Sequence, residues 1–127
     1  MAIAFLASAL CATACPLNPK YKQEEFAFYY EDTQAQALIV LPGTVPEAKS
    51  AITPTVKLIY ANVETDGTLS FELIAGDRNP PTQSSPPDAD SIAMILHTSG
   101  TTSRPKRVPL RHRNLIASAK NIISAYN

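Results

Sequence analysis

Apolar and polar positions come in blocks along this chain, and their period changes from one block to the next. Residues 1–15 are small and apolar almost throughout. Ile3, Phe5, Leu6, Ala9 and Leu10 cover most of a helical circumference, which predicts a helix buried between packed layers. Pro16-Leu17-Asn18-Pro19 ends it, since each proline lacks an N–H and crowds the preceding turn. Residues 22–33 predict a second helix. Phe26, Tyr29 and Tyr30 form its apolar stripe, and Glu24 and Glu25 lie in the first turns, where the helix dipole favours them. Ala37-Leu38-Ile39-Val40-Leu41 is a continuous apolar run, the pattern of a strand buried on both faces of a parallel sheet.

Pro42-Gly43 closes that strand, and residues 45–52 predict a short helix. Residues 56–63 read as a second strand, Asp66-Gly67 as a turn, and 69–74 as a third, alternating strand. Residues 77–90 hold four prolines among Asp, Ser and Asn, the composition of a surface linker. Residues 91–97 form a further strand. Residues 114–126 return to helical spacing, with Leu115, Ala119, Ile122 and Tyr126 on one face and Ile116 and Ile123 beside it. Helices alternating with strands predict an α/β fold with a mainly parallel sheet flanked by helices.

Composition narrows the function classes. The 127 residues carry 11 Lys and Arg against 11 Asp and Glu, so the chain lacks the basic excess that general nucleic-acid or anionic-membrane binding needs. The first fifteen residues resemble a signal peptide at Ala12-Thr13-Ala14-Cys15. No Lys or Arg precedes the apolar run, however, and the run is too short to span a bilayer. A secreted or lipid-anchored protein therefore ranks last, and no targeting signal is accepted. Cys11 and Cys15, four apart on the predicted helix with no second pair nearby, read as small buried core residues rather than metal ligands. Positive charge is nonetheless concentrated: Arg104, Lys106, Arg107, Arg111, His112 and Arg113 fall within ten residues.

That basic cluster follows the most informative tract, Ile95-Leu96-His97-Thr98-Ser99-Gly100-Thr101-Thr102-Ser103-Arg104-Pro105-Lys106-Arg107-Val108. An apolar strand runs into hydroxyl-bearing residues that are poor core and helix formers, then into a Pro-Lys pair. Hydroxyl and amide donors beside a rotatable ammonium suit an anion. A strand, such a loop and then a helix start make a recurrent phosphate cradle. It is not a Walker A loop, because Gly100 is the sole glycine between Asp77 and Asn127. His97 at the strand end and His112 at the helix start have no acid–base partner visible in sequence, and no catalytic residue is assigned.

Thr98, Ser99, Gly100, Thr101, Thr102, Pro105, Lys106 and Val108, followed by His112 and Asn114, resemble the phosphate-loop signature of the AMP-forming acyl-activating ligases. Ser103 with Arg104-Pro105-Lys106 and Val108-Pro109-Leu110 is similar to the oxalate–CoA ligase and 4-coumarate–CoA ligase-like branch. The resemblance extends back through Pro16-Leu17-Asn18-Pro19, Tyr21, Glu25, Asp32 and Ala37-Leu38-Ile39-Val40. It identifies residues 1–127 as a partial AMP-binding domain, the early part of a several-fold longer ligase. The resemblance implies carboxylate adenylation by ATP and thioester formation with coenzyme A. It also implies Mg²⁺, a small carboxylic acid substrate, no nucleic-acid or membrane partner, and a cytoplasmic or peroxisomal location. The implied binding residues are Thr98, Ser99, Gly100, Thr101, Thr102 and Lys106, with no metal ligand and with the coenzyme A site outside this chain. Neither the acid substrate nor the oligomeric state follows from it.

Two positions depart from the family pattern. Arg107 stands where the family has Gly, predicting a steric cost of about 1 kcal/mol if that backbone needs positive φ. Arg111 replaces the usual Thr or Ser before His112, which removes a helix cap worth about 1 kcal/mol. The later nucleotide motifs and the C-terminal domain with its adenylation lysine have no counterpart here. An inactive fragment of an acid–CoA ligase and a non-catalytic phosphate-binding remnant or degenerate copy therefore both stay open.

Overall fold

A computed structural model describes residues 2–78, 85–98 and 105–126. The chain divides into two units, Leu17–Pro81 and Met1–Pro16 with Thr82–Asn127. The first is built on a three-stranded sheet of order β1-β2-β3, with β1 at Ala37–Val40, β2 at Lys57–Val63 and β3 at Leu69–Ala75. β1 and β2 are parallel, pairing Ala37 with Lys57 and Val40 with Tyr60. β2 and β3 are antiparallel, joined by the turn at Asp66-Gly67, where Gly67 adopts φ 83°. Asp66 shapes that turn by accepting from both the N–H and the hydroxyl of Thr68, at 2.9 and 2.7 Å.

Helix α2, Gln23–Thr33, begins where Glu25 accepts the Lys22 N–H at 2.8 Å, satisfying an amide with no helical acceptor. It ends at Gln34, which turns left-handed at φ 50° so that its N–H reaches back to the carbonyls of Tyr30 and Glu31. Phe26, Tyr29 and Tyr30 are buried as the apolar stripe predicts. Phe26 and Tyr30 pack with Ala48 and Ala51, at and just beyond the short helix α3, Pro46–Ser50. Tyr21, Leu38 and Ile52 close around them. The Tyr30 hydroxyl donates to the Ala48 carbonyl at 3.1 Å, so this buried phenol is satisfied.

The second unit holds helix α1, Ala2–Ala9, strands β4, Ile92–Thr98, and β5, Lys106–Arg111, and helix α4, His112–Tyr126. β4 and β5 are antiparallel. Along its other edge β4 meets Ala14 in a parallel bridge, with the Ala14 N–H on the Ala93 carbonyl and the Ile95 N–H on the Ala14 carbonyl, both at 2.9 Å. The Thr13 hydroxyl adds a bond to the Ile92 carbonyl at 2.9 Å.

The α/β class holds, but the sheets are mixed rather than mainly parallel, since only β1 and β2 run together. β1 alternates exposed and half-buried positions instead of burying both faces, and Ile39 is 36% exposed. Helix α1 is not buried either: Ile3 and Leu6 are 59% and 60% exposed, Leu10 just beyond it is 65% exposed, and among the described side chains of α1 Ala9 alone is fully packed. An apolar circumference records what a helix can bury, not what this unit supplies to cover it. Cys11 is exposed and Cys15 half-buried, and both lie beyond the end of α1, with Cys15 next to the Ala14 bridge.

Candidate functional site

The hydroxyl-rich tract joins β4 to β5. The sequence predicts a helix directly after the tract; the structure places strand β5 between the tract and α4. Residues 106–111 are extended, at about 3.4 Å per residue, so the start of α4 at His112 lies roughly 20 Å further along the chain than Lys106. The helix N-terminus is therefore well removed from Lys106 along the chain. Pro109 obscured this strand in the sequence, because a proline removes a ladder donor. In the structure it sits where no donor is needed. Ile95 turns its N–H toward Ala14, away from β5, so its register partner Pro109 is in a non-hydrogen-bonded pair.

The same alternation fixes the neighbouring pairs. His97 with Arg107 is again a close, non-hydrogen-bonded pair, and Thr98 with Lys106 is a hydrogen-bonded one. Directly opposed residues share a face, so the strand ends bring the Thr98 hydroxyl and the Lys106 ammonium to one side of the ribbon. Both are exposed. Of the six residues assigned to phosphate, these two are described and are brought together. Ser99, Gly100, Thr101 and Thr102 lie outside the described residues.

The described members of the basic cluster separate into two groups along β5, and Arg104 lies outside the described residues. Lys106 and Arg107 lie at the loop end. At the helix end, Arg111 and Arg113 converge on Asp90: Arg113 meets its carboxylate at 2.6 Å, and Arg111 donates to its backbone carbonyl at 2.7 Å. The Ser91 and Ala89 carbonyls accept the His112 and Arg113 N–H groups at 3.1 and 3.0 Å, so this turn anchors the first turn of α4. Arg111 and Arg113 thus serve the helix start rather than one polyphosphate site. A Thr or Ser cap would accept the second or third helical amide, and the Ala89 carbonyl takes that of Arg113 instead. Asn114, three residues on, accepts the Arg111 N–H at 2.9 Å, as the third helical residue does in a capping box.

Arg107 brings no positive-φ strain; among the described residues only Gln34 and Val45 adopt positive φ without being glycine. The expected steric penalty does not arise, because this position is ordinary strand with an exposed side chain. One contact lay beyond sequence reasoning. Cys15 Sγ lies 3.9 Å from His97 Nδ1, joining residues 82 apart in the chain. His112 is the first residue of α4, as its position suggests.

Within the other unit, an open depression of about 390 Å³ is lined by Pro19, Lys20, Tyr21, Lys22, Gln23, Glu24 and Glu47, whose charges do not converge. Among the described residues, no three His, Cys, Asp or Glu side chains gather around a point that a metal could occupy. No helix there is long and apolar enough to cross a membrane.

Comparison with known proteins follows the same lines. The family described as AMP-binding enzyme matches residues 1–127. A probable CoA ligase, CCL9, of Humulus lupulus is 39% identical over 98% of this chain and 25% of its own length. Oxalate–CoA ligases of Arabidopsis thaliana and Saccharomyces cerevisiae are 38% and 32% identical, over 91% and 98% of this chain. The chain spans about a quarter of these relatives, 23% and 27% of the two oxalate–CoA ligases. Among solved structures, apo MatB from Rhodopseudomonas palustris superposes with a TM-score of 0.60 at 24% identity, over 94% of this chain and 24% of MatB. That likeness concerns the fold, as does the equal likeness to the ATP-bound form of MatB.

Proposed function

The chain belongs to the AMP-binding enzyme family, and on that premise we propose that it is the part of an ATP-dependent acid–CoA ligase that holds the β- and γ-phosphates of ATP. One observation supports the reading above the rest: Lys106 stands opposite Thr98 at the two ends of the hydroxyl-rich tract. In this reading the hydroxyl-bearing residues between Thr98 and Lys106 add their donors to that hydroxyl and ammonium. Such an arrangement fits a polyphosphate, whose oxygens accept several hydrogen bonds and carry negative charge for Lys106 to offset.

In this reading Thr98, Ser99, Thr101 and Thr102 donate to phosphate oxygens, Gly100 lets the backbone approach closely, and Lys106 neutralises one oxygen. Mg²⁺, when bound with ATP, screens the phosphates from another side, and its ligands are mainly phosphate oxygens and water. The chain's own task is to hold the leaving pyrophosphate while charge builds on it. The resemblance to oxalate–CoA ligases makes oxalate or a related small carboxylic acid the substrate of choice. Activation of that acid and its transfer to coenzyme A need the remaining three-quarters of such a ligase. This chain alone therefore binds phosphate and does not turn over.

Titration calorimetry of the 127-residue chain with Mg-ATP and with pyrophosphate tests the reading. Binding by the wild type that Lys106→Ala weakens at least tenfold supports it. Wild-type chain that binds neither anion overturns it. A parallel pyrophosphate-exchange assay with oxalate is expected to give no turnover, and clear exchange would refute the inactivity of the isolated chain.

A further inference from the structure

The two cysteines lie four positions apart, yet their thiols are in opposite chemical situations. Cys11 is exposed, and its Sγ donates toward the carbonyls of Ala7 and Ser8 at 3.4 and 3.8 Å. Those carbonyls engage the Cys11 S–H as a donor and offer no group that can take its proton. Cys15 is half-buried, and its Sγ faces His97 Nδ1 at 3.9 Å. An imidazole nitrogen in the neutral ring can take the proton, which a carbonyl cannot do. Cys11 is thus the more exposed of the two.

The strand register explains why these two groups meet. Ala14 pairs with Met94, so Cys15, the next residue, turns its side chain to the face that carries Ala93, Ile95 and His97. Arg107 is the register partner of His97 and shares that face. A nucleophile with a base beside it is the pairing that activates a thiol.

We propose that Cys15, with His97 as its base, is a thiol-modification site for low-molecular-weight disulfides of the glutathione type. His97 Nδ1 accepts the Sγ proton as Cys15 attacks one sulfur of the disulfide. The bond from Cys15 to that sulfur forms as the reagent's S–S bond breaks. The departing thiolate takes the proton back from the imidazolium, so one protein thiol and one disulfide become a mixed disulfide and a small thiol. The site stands apart from the phosphate reading, because neither Cys15 nor His97 is assigned to the anion.

The wild-type chain carries its own control. It is incubated with oxidised glutathione, quenched by acid at intervals, and peptide-mapped by mass spectrometry to follow each cysteine. The expected result is that Cys15 forms the mixed disulfide at least tenfold faster than Cys11, although Cys11 is the more exposed. In His97→Gln, the Cys15 rate falls to that of Cys11 or below while the Cys11 rate stays unchanged. Equal rates in the wild type, or a faster Cys11, overturn the proposal whether or not the variant folds. An unchanged Cys15 rate in a folded His97→Gln chain overturns it as well.

Discussion

Thr98, the last residue of β4, stands directly opposite Lys106, the first residue of β5. Two residues eight apart in sequence thus stand side by side at one end of the ribbon. Alternation along β4, fixed by the Ile95 bond to Ala14, puts the hydroxyl and the ammonium on one face. That relationship is what an anion site at this position requires.

Its two ends contribute unequally. Thr98→Val keeps the shape of the side chain and removes a neutral donor, so pyrophosphate affinity falls about threefold to tenfold. Lys106→Ala removes a charged donor and lowers affinity roughly tenfold to a hundredfold. Because both strand ends are exposed, added salt weakens wild-type binding, and Lys106→Ala responds less steeply. Calorimetry at low and high ionic strength reads all three. Full affinity in both variants would remove these residues from the site.

Two backbone positions in the Leu17–Pro81 unit respond in opposite directions. Gly76 adopts φ 105°, and a Cβ there meets Lys57 Cγ at 2.8 Å and Lys57 Cα at 3.3 Å. Gly76→Ala therefore destabilises the unit by about 1–3 kcal/mol. Gln34 holds φ 50° at the end of α2 with its side chain exposed. Gln34→Gly stabilises by on the order of 1 kcal/mol, since glycine takes that conformation without a Cβ clash. Urea unfolding measures both.

Burial pushes the Tyr30 hydroxyl from 10.0 up to about 12. An unfolded tyrosine ionises near ~10, so Tyr30 supplies its full stabilisation below that pH. The contribution is lost as pH rises from there toward the folded value. Tyr30→Phe removes this component and the bond to the Ala48 carbonyl, at a cost of about 1 kcal/mol at neutral pH. Unfolding midpoints compared between about pH 9 and about pH 11 should fall more steeply in wild type than in the variant.

Asp66 titrates below its ordinary 3.8 because the Thr68 hydroxyl, and then the Thr68 N–H, hydrogen-bond its carboxylate. Its stabilisation of the β2–β3 turn is present above the ordinary value and is lost as pH falls through the depressed one. The side-chain carboxyl carbon followed by NMR should titrate low in wild type and return toward the ordinary value in Thr68→Val. An identical titration in the two chains would remove the hydroxyl as the cause.

Asn114→Ala leaves the Arg111 N–H without its acceptor at the start of α4. The expected cost is about 1 kcal/mol, with faster hydrogen exchange at the Arg111 amide than in wild type. Unchanged exchange would mean that the Asp90 contacts alone fix this helix start.

Local periodicity carried the helices and four strands into view. The Phe26, Tyr29 and Tyr30 stripe, the apolar run at β1 and the alternation at β3 each read at their own period because near neighbours decide them. Strand β5 was not legible, because Pro109 breaks the pattern and only the Ile95–Ala14 bond shows that no donor is missed there. The basic cluster misled for a related reason. Charge adjacent in sequence separates by about 3.4 Å per residue once extended, and Asp90, distant in sequence, claims two of the arginines. The string from Thr98 to Lys106 was legible as chemistry, whereas the meeting of Cys15 with His97 depends on a bridge that no local pattern encodes.

Pro109 also settles what can happen along the outer margin of β5. Residues 107, 109 and 111 aim their amides away from β4, yet Pro109 has none to offer and Asn114 occupies that of Arg111. An incoming strand from another molecule would find its hydrogen-bond ladder interrupted midway and flanked by two arginine charges. The ribbon can therefore leave this margin in water without serving as a template for fibre growth.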